Sequence, residues 1–160
     1  MINSELLNKV SYELKKQHLT IATAESCTGG LFAHLLTNIS GSSEYFDRGV
    51  ISYSNTSKTQ LVDVPENLLK KYGAVSEEVA HAMAEGIRTR AGVDIGVSTT
   101  GIAGPTGGTK DKPVGLVYIG VATRNAVVVK RFLFSGDRLQ NKEQACDAAL
   151  SLLLEMLVNR

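Results

Sequence analysis

The fold is decided by the stretch Leu19-Thr20-Ile21-Ala22-Thr23-Ala24-Glu25-Ser26-Cys27-Thr28-Gly29-Gly30. Its apolar first part, residues 19–23, predicts a buried strand, and its hydroxyl- and glycine-rich second part predicts a tight turn. An apolar stripe at helical spacing follows the turn, formed by Leu31, Phe32, Leu35 and Leu36. The stretch therefore predicts a strand that passes through a turn directly into a helix.

This turn is the first candidate site. A helix N-terminus offers unpaired N–H groups and a positive dipole end, so it can hold an anion or stabilise an oxyanion. It can also lower the pKa of a hydroxyl or thiol. Ser26 and Cys27 therefore lie where a nucleophile would be useful. The simpler alternative is a structural turn in which Ser26 or Thr28 caps the helix, and this stretch alone leaves both interpretations open.

The rest of the chain alternates helices with strands and then departs from that order. Strands are predicted at residues 19–23, 48–53, 94–99, 114–123 and 126–134. Ser4 is predicted to cap the first helix, and a helix capped by Ser76 is predicted to end at Gly92. The last two strands form a hairpin before a long final helix. The pattern predicts an α/β protein, a three-layer α/β/α sandwich with a mixed sheet, as a single domain over residues 1–160.

Composition excludes several classes of function. The net charge of +1, with basic residues scattered along the chain, argues against nucleic acid and an anionic membrane as partners. No apolar run reaches membrane-spanning length, and the charged N-terminus lacks the apolar core of a signal peptide. Two cysteines are too few for a disulfide framework or a cysteine-based zinc site. We therefore expect a cytoplasmic protein that holds no metal.

The second candidate segment is Ser52-Tyr53-Ser54-Asn55-Thr56-Ser57-Lys58, which leaves a strand and enters a helix. Lys58 could act as a general base if its neutral form were accessible, which costs roughly 4–5 kcal/mol at neutral pH for an ordinary lysine. Partial desolvation would remove much of that cost, and Tyr53 could relay a proton or orient the amine. The alternative is a solvated lysine in a loop.

The third segment is Thr100-Gly101-Ile102-Ala103-Gly104-Pro105-Thr106-Gly107-Gly108, which directly follows a strand and could wrap a phosphate or ribose. It matches neither the P-loop nor the dinucleotide fingerprint. All three segments follow strands, whose carboxyl ends are where ligands gather in α/β sheets. Before the last helix, Arg138 could bind a phosphate or carboxylate bidentately, while Asp137 could cap the helix.

Further motifs complete an ordered set that covers nearly the whole chain. The set comprises residues 24–30, 52–55 with Lys58, 73–78, 100–105, 107–108, 112–115 and 136–138. Together these motifs resemble the CinA C-terminal-domain family, the nicotinamide mononucleotide deamidases. The resemblance implies a three-layer fold without a metal or cofactor. It also implies hydrolysis of the carboxamide of nicotinamide mononucleotide, a small nucleotide substrate, to nicotinate mononucleotide and ammonia in pyridine-nucleotide recycling.

By the same resemblance, Ser26 would be the nucleophile, with Lys58 as its base and Tyr53 assisting. The residues expected around the substrate are Thr28, Gly29, Gly30, Gly41, Ser42, Thr100, Gly101, Gly104, Gly107, Gly108 and Arg138. A small enzyme of this type is also expected to form a homo-oligomer through its helical faces.

The chain departs from the family pattern at two neighbouring positions. Lys142 stands where the family usually has arginine, which weakens a bidentate phosphate contact, and Asn141 replaces an apolar residue. One alternative function is therefore a divergent, weakly active or inactive nucleotide-binding paralogue. A second alternative is a thiol amidase in which Cys27 is the nucleophile, supported by Glu25 and Lys58.

Overall fold

The computed structural model describes all 160 residues. Six helices, α1 to α6, span Ser4–Lys16, Leu31–Thr37, Asn55–Val62, Glu66–Tyr72, Glu77–Ala91 and Arg138–Val158. Five strands, β1 to β5, span Ile21–Glu25, Phe46–Ile51, Ile95–Gly101, Leu116–Ala122 and Val127–Leu133. A short 3₁₀ turn covers Ser42–Glu44. None of the helices is both long enough and apolar enough to cross a membrane.

The five strands form one sheet in the order β2-β1-β3-β4-β5. The first three strands of that order run parallel, whereas β4 is antiparallel to both β3 and β5. The predicted mixed sheet is therefore confirmed. Because β1, β2 and β3 are parallel, their carboxyl ends meet at one edge, and all three candidate segments begin there.

Helices cover both faces of the sheet, which confirms the three-layer α/β/α sandwich. On one face, α1, α2 and α6 pack against apolar side chains such as Ile21 and Val97. On the other face, α3, α4 and α5 pack against Ala22 and Ala24. Successive residues of β1 thus serve opposite layers, and all five of its residues are buried.

Helix α3 lies very close to α5, and a glycine permits the contact. An ideal Cβ atom built on Gly86 would lie 1.8 Å from the carbonyl oxygen of Val62, at the end of α3. No side chain fits in that space, so α3 can rest directly on the backbone of α5. This contact helps to set the position of Lys58, which α3 carries.

Some predicted boundaries were wrong. Strand β1 begins and ends two residues later than predicted, because the N–H of Leu19 closes the end of α1 by donating to Leu14. Helix α1 is capped by Asn3, whose side chain accepts from the N–H of Leu6, and not by Ser4. Helix α2 begins after Gly30, as its apolar stripe predicts, but neither Ser26 nor Thr28 caps it: Ser26 Oγ contacts Lys58, and Thr28 Oγ1 bonds to Glu25 and Thr99.

Candidate active site

The turn after β1 holds Ser26 in a fixed backbone geometry. Its N–H continues the sheet by donating to the carbonyl oxygen of Thr99 over 3.0 Å. Its own carbonyl accepts from the N–H of Gly29 over 3.1 Å, which closes the turn. The side chain of Ser26 is nearly buried, and its hydroxyl faces the helix that follows β2.

Lys58 lies on that helix, α3, whose first turn is capped by the hydroxyl of Ser54. The Nζ atom of Lys58 lies 3.2 Å from Oγ of Ser26. It also donates to the carbonyl oxygens of Ser52 and Tyr53, over 2.9 and 3.1 Å. Lys58 is only 1% exposed and forms no ion pair with a carboxylate. Burial therefore lowers the pKa of Lys58, and the nearby Cys27 opposes this shift only in part.

These contacts fit both forms of the amine, because an ammonium can donate to all three oxygens and the neutral form can instead accept from Ser26. A neutral lysine has two N–H donors and one lone pair. The carbonyl groups of Ser52 and Tyr53 can take both donors, which leaves the lone pair for the hydroxyl proton of Ser26. The same two carbonyls would stabilise the ammonium that forms when Lys58 accepts that proton.

The three segments meet at a cavity of about 210 Å³ at the carboxyl edge of the parallel strands. The residues that line it are Ser26, Cys27, Tyr53, Lys58, Ala74, Val75, Thr100, Gly101, Ala103 and Arg138. The structure thus brings together seven residues that the sequence singled out: Ser26, Cys27, Tyr53, Lys58, Thr100, Gly101 and Arg138.

A larger cleft, of about 540 Å³, lies at the opposite end of the strands. It runs between the turn of the β4–β5 hairpin and the end of α6, and its lining is polar and charged. No residue of the three candidate segments reaches it. We therefore take the smaller cavity as the candidate active site, because it contains the candidate nucleophile and base and the larger cleft does not.

Arg138 joins three of the elements around the cavity. Its guanidinium donates to the carbonyl oxygen of Gly104 over 2.7 Å and to the phenol oxygen of Tyr53 over 3.2 Å. The phenol of Tyr53 therefore contacts Arg138, whereas only the carbonyl group of Tyr53 contacts Lys58. Lys58 reaches Ser26 directly, with no phenol between them.

Several predicted substrate contacts lie away from this cavity. Gly29, Gly30, Gly41, Ser42, Gly107 and Gly108 are not among its lining residues. Thr28 is fully buried, and its hydroxyl bonds to Glu25 and Thr99. Gly104 takes part through its carbonyl group, which accepts from Arg138.

Cys27 lines the cavity but is poorly suited to be a nucleophile. Burial raises the pKa of its thiol to about 12, although hydrogen bonding partly opposes that shift. Thiolate is the reactive form, so little of it exists at neutral pH. This favours Ser26 over Cys27 as the attacking group.

Glu25 is a site residue whose role the sequence did not indicate. Its carboxylate is 1% exposed and accepts from Thr28 Oγ1 over 2.6 Å and from the N–H groups of Phe32 and Ala33 over 2.8 and 3.0 Å. A signal was present, because α2 has glycine at its cap position and needs another acceptor. The motif at residues 73–78 was identified, but no place in the site was assigned to Ala74, whose carbonyl accepts from Thr100 Oγ1.

The two expected departures from the family pattern, Asn141 and Lys142, lie beside the same loops. Asn141 is buried, accepts from the N–H of Gly136 and donates to the carbonyl of Ala103, each over 2.9 Å. Both polar atoms of its buried amide therefore have a partner, and these two hydrogen bonds help to hold the cavity wall. The Nζ atom of Lys142 lies 3.5 Å from the position that a Cβ atom on Gly29 would occupy.

Fold and geometry together define an α/β protein with a buried serine–lysine pair in a cavity at the carboxyl ends of parallel strands. Residues 3–157 match the CinA C-terminal domain, and the chain belongs to that family. This family includes amidohydrolases that act on nicotinamide mononucleotide. No group of three or more His, Cys, Asp or Glu side chains converges in a way that could hold a metal ion.

Curated relatives and solved structures agree with this assignment. The CinA-like protein of Chloroherpeton thalassium is 54% identical over 148 residues, covering 90% of this chain and 35% of that protein. That of Desulfotalea psychrophila is 51% identical, covering 93% of this chain and 36% of that protein. The chain thus spans little more than a third of the length of these relatives.

Two crystal structures match nearly the whole chain. A competence-damaged protein (CinA) superfamily protein from Klebsiella pneumoniae superposes with a TM-score of 0.94 at 34% identity, covering 98% of both chains. A competence/damage inducible protein from Agrobacterium tumefaciens gives 0.94 at 36% identity, with 98% of both chains covered.

Proposed function

We propose that this chain is an amidohydrolase that converts nicotinamide mononucleotide to nicotinate mononucleotide and ammonia. The observation that carries the proposal is the 3.2 Å contact between Oγ of Ser26 and Nζ of Lys58 inside a nearly closed environment. Membership of a family that includes such amidohydrolases supports the same substrate. Nucleophile and base are within direct hydrogen-bonding reach, as this chemistry needs.

The reaction would proceed in two halves. Oγ of Ser26 bonds to the amide carbon while its proton passes to the amine of Lys58, which gives a tetrahedral oxyanion. The C–N bond then breaks, and ammonia leaves with the proton that Lys58 held. Water attacks the resulting ester, again giving a proton to Lys58. That proton returns to Oγ of Ser26 as the nicotinate product leaves.

Backbone N–H groups of the turn are the proposed stabilisers of the oxyanion. Of these groups, the amide of Cys27 belongs to a residue that lines the cavity, and it donates to no other residue. By contrast, the amide of Gly29 donates to Ser26. A donor that is unpaired before the reaction needs little reorganisation when the oxyanion forms.

The size of the cavity suggests how the nucleotide would lie. Its volume of about 210 Å³ is below the roughly 300–1,000 Å³ typical of pockets that enclose a drug-sized ligand. We therefore propose that the carboxamide ring enters the cavity and that the ribose phosphate remains outside. Arg138 uses two of its five N–H donors within the protein and could offer others to the phosphate.

An ammonia-release assay tests the proposal. Nicotinamide mononucleotide, nicotinamide riboside and nicotinamide are each incubated with the purified chain, and the initial rates are compared. We expect rapid release from the mononucleotide and much slower release from the two compounds without phosphate. Release at the uncatalysed rate from all three would contradict the proposal.

One observation favours a second function, that of a nucleotide-binding module without turnover. Lys142 supplies a single point charge beside the turn, where the family resemblance leads us to expect the planar fork of arginine. Such a module would be stabilised by the nucleotide and would release no ammonia from it.

A further inference from the structure

The carboxylate of Glu25 lies beneath the turn that carries Ser26 and gathers three donors from both sides of it. One donor, Thr28 Oγ1, belongs to the turn itself. The other two, the N–H groups of Phe32 and Ala33, belong to the first turn of α2. Glu25 is 1% exposed and makes no ion pair. These three hydrogen bonds therefore stabilise its buried carboxylate in place of water.

We infer that Glu25 is a positioning residue for Ser26, an inference that rests on the proposed role of Ser26 as nucleophile. Helix α2 begins after Gly30, which has a φ of 99° and no side chain to cap the helix. The first amides of a helix need an acceptor, and here it comes from the preceding strand. Glu25 therefore holds the start of α2 and the turn before it in one arrangement.

The network extends from the turn to the neighbouring strand. Oγ1 of Thr28, which donates to Glu25, also bonds to Oγ1 of Thr99 over 2.7 Å. Thr99 belongs to β3, and its carbonyl accepts from the N–H of Ser26. Two sets of contacts thus fix the position of Ser26: its own N–H bonds to Thr99, and Thr28 of the same turn bonds to Glu25 and Thr99. A shift of the turn would change the 3.2 Å distance to Lys58.

Glu25 also holds the base, through its main chain. Its carbonyl accepts from the N–H of Ser52 over 2.8 Å, and the carbonyl of Ser52 in turn accepts from Lys58. One residue therefore fixes both partners: its side chain holds the turn of Ser26, and its backbone holds an acceptor for Lys58. Only the side-chain part changes on mutation.

A carboxylate is needed because every converging group is a donor. Glutamine has the same length as glutamate, but one of its two terminal groups is an NH₂ donor. In Glu25→Gln that group would face Thr28 or a backbone N–H of α2, so at least one hydrogen bond would be lost. The turn would then sample other positions, and Ser26 would meet Lys58 less often.

The test compares Glu25→Gln with the wild type in two assays. The first measures kcat and KM for ammonia release from nicotinamide mononucleotide. The second measures the rate at which a fluorophosphonate labels Ser26, whose Oγ displaces fluoride. We expect kcat and the labelling rate to fall at least tenfold, with KM changed less than threefold. Wild-type kcat and labelling in Glu25→Gln would overturn the inference and leave the proposed function intact.

Asn3→Ala is the matched control, because it also removes a helix cap, on α1, far from the cavity. Both variants lose thermal stability, but only Glu25→Gln is expected to lose kcat. A wild type that releases no ammonia, together with slower labelling of Glu25→Gln, would overturn the proposed substrate and support the positioning role.

If Glu25→Gln does not fold, two variants of Thr28 test the positioning role of Glu25 instead. Thr28→Val removes the hydroxyl that joins Glu25 to β3 while keeping the shape of the side chain, whereas Thr28→Ser keeps the hydroxyl. We expect the labelling rate to fall in Thr28→Val and to recover largely in Thr28→Ser. A wild-type labelling rate in Thr28→Val would overturn the inference.

Discussion

Burying a charged lysine without a carboxylate partner costs desolvation free energy, and at Lys58 this cost favours the neutral amine that a general base needs. The unpaired charge is disfavoured by desolvation, so the neutral amine becomes accessible at lower pH than for an exposed lysine. The carbonyls of Ser52 and Tyr53 stabilise the charged form when it is needed. The same residue can therefore take a proton from Ser26 and return it later.

The pH profile follows from this shift. Because burial lowers the pKa of Lys58, its charged form persists only below a pKa under the ordinary value of about 10.4. We expect kcat/KM to fall as the pH drops through that pKa and to level off above it. The measurement is the rate of ammonia release between pH 6 and about 10.

Two variants test whether the fall of kcat/KM at low pH is caused by protonation of Lys58. Lys58→Met should abolish activity at every pH, whereas Lys9→Met removes an exposed lysine and should leave the profile unchanged. Substantial activity in Lys58→Met would show that another group is the base.

The thiol of Cys27 gives a separate residue-scale prediction. Its pKa of about 12 lies three units above the ordinary 9.0, so its thiolate is about a thousandfold scarcer at neutral pH. We expect Cys27→Ser to keep activity within about tenfold, and iodoacetamide to inactivate the wild type slowly. Complete loss in Cys27→Ser and rapid inactivation by the reagent would instead support a thiol amidase.

At the scale of elements, the position of α3 depends on its contact with α5. A methyl group on Gly86 would overlap the carbonyl oxygen of Val62, so Gly86→Ala must push the two helices apart. We expect unfolding free energy to fall by roughly 1–3 kcal/mol, measured by urea denaturation. The rate of ammonia release should also fall, because α3 carries Lys58.

Gly92→Asn is the matched control on the same helix. Gly92 ends α5 with a φ of +66°, a conformation that asparagine tolerates, and nothing lies within 4 Å of its Cβ position. Both stability and activity should stay close to the wild type. Equal losses of activity in the two variants would mean that the α3–α5 contact does not set the site.

The elements with strong local signals were predictable from the sequence. Ser76 caps α5 and Gly92 ends it, and Asp137 caps α6. The cap of α1 was missed because Ser4 and Asn3 are both good caps, and a distant contact favours Asn3, whose N–H bonds to Asp147. At α2, the glycine at the cap position indicated that another acceptor was needed, but it did not identify Glu25 of the preceding strand as that acceptor.

At the scale of the whole molecule, parallel strand order explains why three distant segments share one cavity. That convergence could be predicted because each segment follows a strand. The bonds of Arg138 to Gly104 and Tyr53, and the wall formed by Ala74 and Val75, depend on how α6 and the α4–α5 connector pack. No local pattern encodes such packing. The expected homo-oligomer remains a prediction.

Ligand binding gives a prediction for the folded chain as a whole. Ser26→Ala should still bind nicotinamide mononucleotide, and at one hundred times Kd the complex gains about 2.7 kcal/mol. For a chain of this size, the melting temperature should rise by roughly 5–11 °C, measured by thermal denaturation. The riboside should give a smaller rise, and no rise with either compound would contradict nucleotide binding.

The most direct test of the account compares ammonia release from nicotinamide mononucleotide by the wild type, Ser26→Ala and Ser151→Ala. Ser151 is an exposed serine on α6, so its variant controls for loss of a hydroxyl. We predict wild-type rates for Ser151→Ala and a loss of at least about a thousandfold for Ser26→Ala. Wild-type turnover by a folded Ser26→Ala protein would contradict the assignment of Ser26 as the nucleophile.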